Sequence, residues 1–272
     1  MQMPQPEPSP SIIPGVKHAL AVSSGKGGVG KSTVAVNLAL ALSQTGRTVG
    51  LMDGDIHGPN VPMMLGIEGQ PDNSGGKILP MEKHGLKVMS LGLIAGEDTP
   101  IIWRGPIVGR VIQQFLSDVE WGELDVLVID LPPGTGDAQL TLAQTIPLDG
   151  ALIVTTPQDV ALEDVTRGIQ MFNKLGVPVL GIIENMSEFV CPCCGDRVAL
   201  FGAGGGEKTA VAFGIPLLGK IPILKGIREG GDNGSPVALT DSEEAQTFRS
   251  LADAVCAEME AQEEDGPEIT IS

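Results

Sequence analysis

Apolar and polar residues fall along this chain in blocks whose period switches between that of a strand and that of a helix. Lys17–Ser23 and Thr48–Met52 are short apolar runs of strand length. Asp125–Leu131 and Gly150–Thr155 are unbroken apolar runs, the pattern of strands covered on both faces. Pro178–Ile183 and Pro216–Ile221 read as further strands. Between them, apolar residues recur three and four apart. Lys31–Ser43, Ala138–Thr145, Ala161–Leu175 and Gly206–Phe213 read as helices, and Arg104–Leu116 joins them through Ile107, Val108, Val111, Ile112 and Phe115. Glu243–Ala261 closes the chain as an amphipathic helix with Phe248, Leu251, Ala252, Val255 and Met259 on one face. Gly75–Leu93 looks like a hairpin-rich insertion whose alternation breaks at Gly85.

Strand and helix in turn predict an α/β fold: a doubly wound, mostly parallel sheet with helices on both faces. The pattern predicts a single domain over 17–261, after a flexible Pro-rich leader at 1–16 and before an acidic tail at 262–272. A chain that is 42% hydrophobic can bury a core of that size, so global disorder is excluded. Aromatics are only 3%, which leaves few platforms for stacking nucleobases. The net charge of −17 argues against nucleic acid and anionic membrane as partners, since both recruit Lys and Arg. From Asp241 onward ten acidic residues stand against one basic residue, Arg249. No apolar run approaches the roughly 20 residues of a membrane span, and Met1–Pro14 lacks the pattern of a secretory signal, so the expected location is cytoplasmic.

The strand Lys17–Ser23 runs into Gly25-Lys26-Gly27-Gly28-Val29-Gly30-Lys31-Ser32, which opens a helix. In that setting G-x-x-x-x-G-K-[ST] is a phosphate cradle, because glycines bring backbone N–H groups to the anion and the helix N-terminus faces it. Lys31 is expected on the β- and γ-phosphates, Ser32 on Mg²⁺, and Thr33 near the α-phosphate. Lys26 is a second cation that a plain cradle does not need. Asp130, at the end of a buried strand, is the expected Mg²⁺ partner. Gly134, in the Pro133-Gly134-Thr135-Gly136-Asp137 loop that follows, can offer its N–H to a γ-phosphate. Asp137 is expected to cap the next helix. In Asp53-Gly54-Asp55, Asp55 is the choice for orienting the attacking water and Asp53 its support, although an Asp/Gly turn is also ordinary loop punctuation. His57 carries no expected role.

Three of the four cysteines crowd into Cys191-Pro192-Cys193-Cys194-Gly195. A C-x-x-C turn presents two thiolates to one metal or cluster, here Cys191 and Cys194, with Cys193 pointing elsewhere. The remaining thiol, Cys256, is expected in the core of the last helix. Two ligands are half of a tetrahedral site, and the simplest completion is a twofold dimer in which each chain gives two. By chemistry alone, an iron–sulfur cluster, zinc or a redox dithiol all remain open.

Lys26 to Ser32 resembles the deviant Walker A motif of the MinD, ParA and nitrogenase iron protein class of P-loop NTPases. Together with Asp53-x-Asp55-x-x-Gly58-Pro59, Ile129-Asp130 through Asp137, Glu184-Asn185-Met186-Ser187 and Cys191-Pro192-x-Cys194-Gly195, the set is similar to the Mrp/ApbC iron–sulfur cluster carriers across roughly 17–255. The resemblance implies an ATPase acting with ATP and Mg²⁺, and a homodimer that holds a [4Fe–4S] cluster bridged near 188–200. It implies apo iron–sulfur clients and an assembly scaffold as partners, Lys26 reaching the partner chain's nucleotide, and Asn185 on the adenine. It supports Asp55 and Asp130 in the roles above and Cys191 and Cys194 as the cluster ligands. Residues 1–16 are too short for the small N-terminal domain of many bacterial relatives. Two other readings stand beside it: a positioning ATPase of the MinD/ParA kind, and a zinc-bridged metallochaperone.

Overall fold

A computed structural model describes residues 13–55, 58–91 and 116–264. The strands are β1 (Val16–Ser23), β2 (Val49–Asp53), β3 (Asn73–Ser74), β4 (Lys77–Ile78), β5 (Met81–Lys83), β6 (Leu86–Ser90), β7 (Leu124–Asp130), β8 (Gly150–Thr155), β9 (Val179–Val190), β10 (Arg197–Val198) and β11 (Leu217–Ile223). The helices are α1 (Lys31–Gln44), α2 (Val61–Leu65), α3 (Asp137–Thr145), α4 (Asp159–Leu175), α5 (Gly205–Phe213), α6 (Lys225–Asp232) and α7 (Glu243–Glu264).

The central sheet runs β10-β9-β8-β1-β7-β2-β6-β5, with β11 also on β9. All of its pairings are parallel except β5 with β6 and β9 with β10. Ala19–Val22 of β1, Val126–Ile129 of β7 and Ala151–Val154 of β8 are apolar at every position because each is covered on both faces, which is where parallel strands are stable. One apolar layer packs α1 and α7 against the sheet through Val34, Leu38, Leu42, Phe248, Leu251 and Val255. The other packs α3 and α4 through Leu142, Val165, Ile169 and Phe172. The expected doubly wound architecture is therefore present. Cys256 is buried in the first layer, and burial pushes its thiol pKa up.

Register sets the site. Asp53 on β2 lies opposite Asp130 on β7, and Asp130 opposite Val22 on β1, so three strands end level at their carboxyl edge. Ligands of such sheets bind at that edge.

Several elements differ from the pattern-based reading. The Gly75–Leu93 insertion lends a strand to the main sheet, because β6 pairs in parallel with β2. It is reached through a hairpin turn in which His84 (φ 51°) and Gly85 (φ 79°) are both left-handed, the geometry that suits two-residue loops. The short α2 and α6 were not expected. β9 does not stop at Ile183 but runs twelve residues to the cysteine turn. The chain is already packed at Ile13, which is 1% exposed, and Gly15 accepts a hydrogen bond from Leu124. α7 continues past Ala261 to Glu264. The helix expected at Arg104–Leu116 lies outside the described residues apart from buried Leu116, as does His57.

Candidate functional site

The loop from Ser24 to Gly30 joins the end of β1 to α1. Its last residue, Gly30, caps the helix at φ 79°, and a Cβ there would lie 2.2 Å from the Asn185 amide nitrogen, so only glycine fits. Lys26 to Thr33 line a cavity of about 310 Å³, with Ser24, Asp55, Gly58, Asn60, Met64 and Pro133 on the other walls. Gly25 stands outside it, packed on the Asp164 backbone, where a Cβ would come within 2.4 Å.

The Lys31 ammonium is buried and pairs with Asp130 Oδ1 at 2.5 Å. Ser32 donates to the same carboxylate. Burial pushes the Asp130 carboxyl pKa up against the pull of Lys31 and Ser32. Its other oxygen, Oδ2, is buried without a hydrogen-bond partner. A half-satisfied buried carboxylate beside a hydroxyl is a donor set suited to a hard divalent cation, which takes oxygen ligands.

Asp53 and Asp55 sit in different surroundings. Asp53 is fully buried and works as a structural acceptor: its Oδ1 takes the Asp55 N–H at 3.0 Å, and its Oδ2 takes the Val61 N–H and the Ser90 hydroxyl, each at 3.3 Å. Burial, then the Asp130 charge, raise its pKa to about 7. Asp55 instead lines the cavity, its carboxylate taking the Gly58 N–H at 3.2 Å.

Other expected residues sit in working contacts of a different kind. Lys26 Nζ donates to Gln158 Oε1 of the same chain at 3.0 Å. The Gly134 N–H donates to the Ser24 carbonyl at 3.0 Å. The Asn185 amide donates to the Val29 carbonyl at 2.8 Å and so braces the phosphate loop. Asp137 does not cap α3: Gly136 holds that position without a side-chain bond, and Asp137 is the first helical residue, where its charge suits the helix dipole.

The cysteine turn closes the β9–β10 hairpin. The Cys191 N–H donates to the Asp196 carbonyl and the Gly195 N–H to the Cys191 carbonyl, both at 2.9 Å. Cys191 is half-buried, and Cys193 and Cys194 are exposed. Hydrogen bonds from the backbone N–H groups of Cys193 and Cys194, and then from the Cys194 thiol, lower the Cys191 pKa. Cys193 does not point elsewhere: its N–H and its thiol both meet Cys191, because the tight turn folds its backbone over that sulfur. Among the described residues, no group of three His, Cys, Asp or Glu is arranged to hold a metal ion. Val198, Leu200 and Phe201, just past the turn, expose 46%, 56% and 37% of their surface.

Gln158, Ser90 and Met64 were not foreseen. Ser90 ends β6 and Gln158 lies in the short loop between β8 and α4, at the carboxyl edge of the parallel sheet, and that position was the signal that could have found them. Met64 belongs to the short α2, which apolar periodicity over five residues does not reveal.

A family model described as the NUBPL iron-transfer P-loop NTPase, within the ParA group, matches residues 15–256. The iron–sulfur cluster carrier protein of Synechocystis is 56% identical over 236 residues, 85% of this chain and 67% of the relative. That of Methanocaldococcus jannaschii is 52% identical over 253 residues, 92% of this chain and 87% of the relative. Among solved structures, the nucleotide-binding protein of Archaeoglobus fulgidus in complex with ADP superposes with a TM-score of 0.76 at 39% identity, covering 86% of this chain and 92% of that one. The Pyrococcus furiosus cell division ATPase MinD follows at 0.66 and 25% identity, covering 88% of this chain and 98% of that one.

Proposed function

Because the chain belongs to the NUBPL iron-transfer P-loop NTPase family, we propose that it hydrolyses ATP and, as a homodimer, carries a [4Fe–4S] cluster to apoproteins. The observation that carries this is one strand. β9 braces the phosphate loop through Asn185 and ends in an exposed turn that offers the Cys191 and Cys194 thiols. Two such turns across a twofold axis supply the four thiolates of a cubane. The apolar residues Val198, Leu200 and Phe201 flank the turn and would be covered in that arrangement.

At the nucleotide end, the loop N–H groups and Lys31 bind the phosphates, with Lys31 exchanging Asp130 for the more strongly charged β- and γ-phosphate oxygens. Ser32 and Asp130 fit a magnesium ion, which when bound would neutralise charge on those oxygens. Thr33 lies at the first helical turn, towards the α-phosphate. Asp55 lines the same cavity and orients the attacking water. Gly134 reaches the γ-phosphate by giving up its bond to Ser24. Lys26 leaves Gln158 to meet the partner chain's nucleotide, where a cation stabilises the transferring charge. Asn185, already on the rim of the loop, extends to the adenine side. A cluster-assembly scaffold and apo iron–sulfur proteins are the partners; the net charge of −17 sets the chain against nucleic acid and anionic membrane.

Replacing Cys194 by Ala tests the cargo assignment. The variant is expected to lose iron and sulfide on anaerobic purification while binding ADP as tightly as the parent. Equal iron content in the variant would remove Cys194 from the ligand set.

A further inference from the structure

β9 is not a uniform strand. It pairs with β11 through Ile182, Ile183, Glu184 and Asn185, the last opposite Ile221, and the pairing resumes at Phe189 opposite Ile223. Four residues advance on β9 while two advance on β11, so the surplus lies between Asn185 and Phe189. Within that surplus Met186 has φ 57°, a left-handed backbone that an unbranched, non-glycine residue seldom adopts.

The position of this bulge is informative. On its upstream side Asn185 holds the Val29 carbonyl at 2.8 Å, and a Cβ built on Gly30 would meet the Asn185 amide at 2.2 Å and the Met186 methyl at 3.8 Å. Asn185 therefore holds the phosphate loop directly, and the Met186 methyl stands beside it at Gly30. On its downstream side the strand runs through Val190, paired with Arg197, directly into Cys191. Asn185 and Cys191 are six positions apart, roughly 20 Å of extended chain at about 3.3 Å per residue. No other segment needs to be crossed. A strained backbone residue persists only where its surroundings hold it, and here one of those surroundings is the loop that nucleotide must contact.

We infer that the Met186 bulge positions the Cys191–Cys194 thiol pair according to whether nucleotide occupies the phosphate loop, through β9 and within a single chain. Nucleotide that shifts Val29 and Gly30 moves Asn185 and changes whether the left-handed turn at Met186 is retained or drawn straight. A straightened bulge has surplus length; the upstream half of β9 is held by both β8 and β11, so the surplus is taken up toward the cysteine turn by a register shift of Phe189 and Val190 against Ile223 and the short β10. Met186 is thus a positioning residue and touches neither phosphate nor thiol chemistry itself. The inference rests on the carrier reading only for what the thiols hold; the coupling concerns the thiols themselves.

The test uses the full, cluster-free chain under reducing conditions, with the alkylation rate of Cys191 and Cys194 followed by peptide mass spectrometry. The wild type is expected to change its rate severalfold between nucleotide-free, ADP-bound and ATP-bound states. Met186→Gly makes the left-handed turn easy and so favours folding in the observed form. It is expected to bind ADP but to keep the nucleotide-free rate in every state. Met186→Asn, which tolerates the same backbone at some cost, should restore part of the response. A wild-type rate indifferent to nucleotide would overturn the proposal, and so would a Met186→Gly chain that responds as the wild type does, since the protection would then come from subunit association alone. Iron content of the anaerobically isolated wild type, measured in parallel, reports on the carrier reading separately.

Discussion

Asp53 and Asp130 sit level at the ends of adjacent parallel strands, both fully buried, and Lys31 forms its 2.5 Å ion pair with Asp130. Asp53 is left with neutral donors, the Asp55 and Val61 N–H groups and the Ser90 hydroxyl, so burial and the neighbouring charge raise its pKa to about 7. An unfolded Asp titrates near 3.9, so between about pH 4 and pH 7 the folded chain holds a proton that the unfolded chain releases. Stability from this group is therefore lost as the pH rises through that window, at no more than about 1.4 kcal/mol per pH unit. Urea unfolding of the nucleotide-free protein at pH 5 and pH 8 should show the wild type losing on the order of 2 kcal/mol more than Asp53→Asn over that interval. Parallel pH slopes would mean that Asp53 is ionised throughout. The phosphate-loop residues and the Asp130 strand end were readable in the sequence because each motif is contiguous. The contacts of Lys26 with Gln158, and of Asn185 with Val29, were not, since they join residues 132 and 156 positions apart.

Strands buried on both faces announced themselves: β7 and β8 need an apolar side chain at nearly every position, and the chain supplies it. The far half of β9 did not, because Glu184, Asn185, Ser187 and Glu188 break the apolar run where the strand turns from core to functional surface. Nor could β6 be told from an outlying hairpin, since alternation fixes which face is buried but not which strand lies alongside. α7 illustrates the opposite case. Its apolar face was evident in Phe248, Leu251, Ala252 and Val255, and all four are buried against the α1 side of the sheet. Phe248 is fully enclosed, so Phe248→Ala should lower the unfolding free energy by about 3–5 kcal/mol, the range for aromatic-to-alanine cavities. Denaturant titration would register this as an earlier midpoint with an unchanged slope. ADP affinity in the folded variant should be unaltered, because α7 packs beneath α1, away from the cavity-lining loop; a proportionate loss of affinity would tie α7 to the site.

At the level of the whole molecule, the sheet places a phosphate loop and a cysteine turn on a common framework, with β9 running from one to the other. The two ends are each incomplete in the same sense. In the proposed function the turn would offer two thiols to a cargo that takes four, and Lys26, which lines the phosphate cavity, is engaged by a neutral glutamine. A second copy of the chain would complete both. Among the described residues no helix is long and apolar enough to cross a membrane, and the closing helix carries Glu258 and Glu260 near its end, a poor match to an anionic surface. The fold alone is shared with MinD, so the cysteine turn and not the architecture separates a cluster carrier from a positioning ATPase. Native mass measurement of the protein after anaerobic reconstitution with iron and sulfide, with metal and sulfide analysis of the same sample, decides the matter. The account predicts a dimer holding about four iron and four sulfide per two chains, the content of one bridging cubane; a monomer that retains a full cluster, or a protein that takes up stoichiometric zinc and no iron, would contradict it.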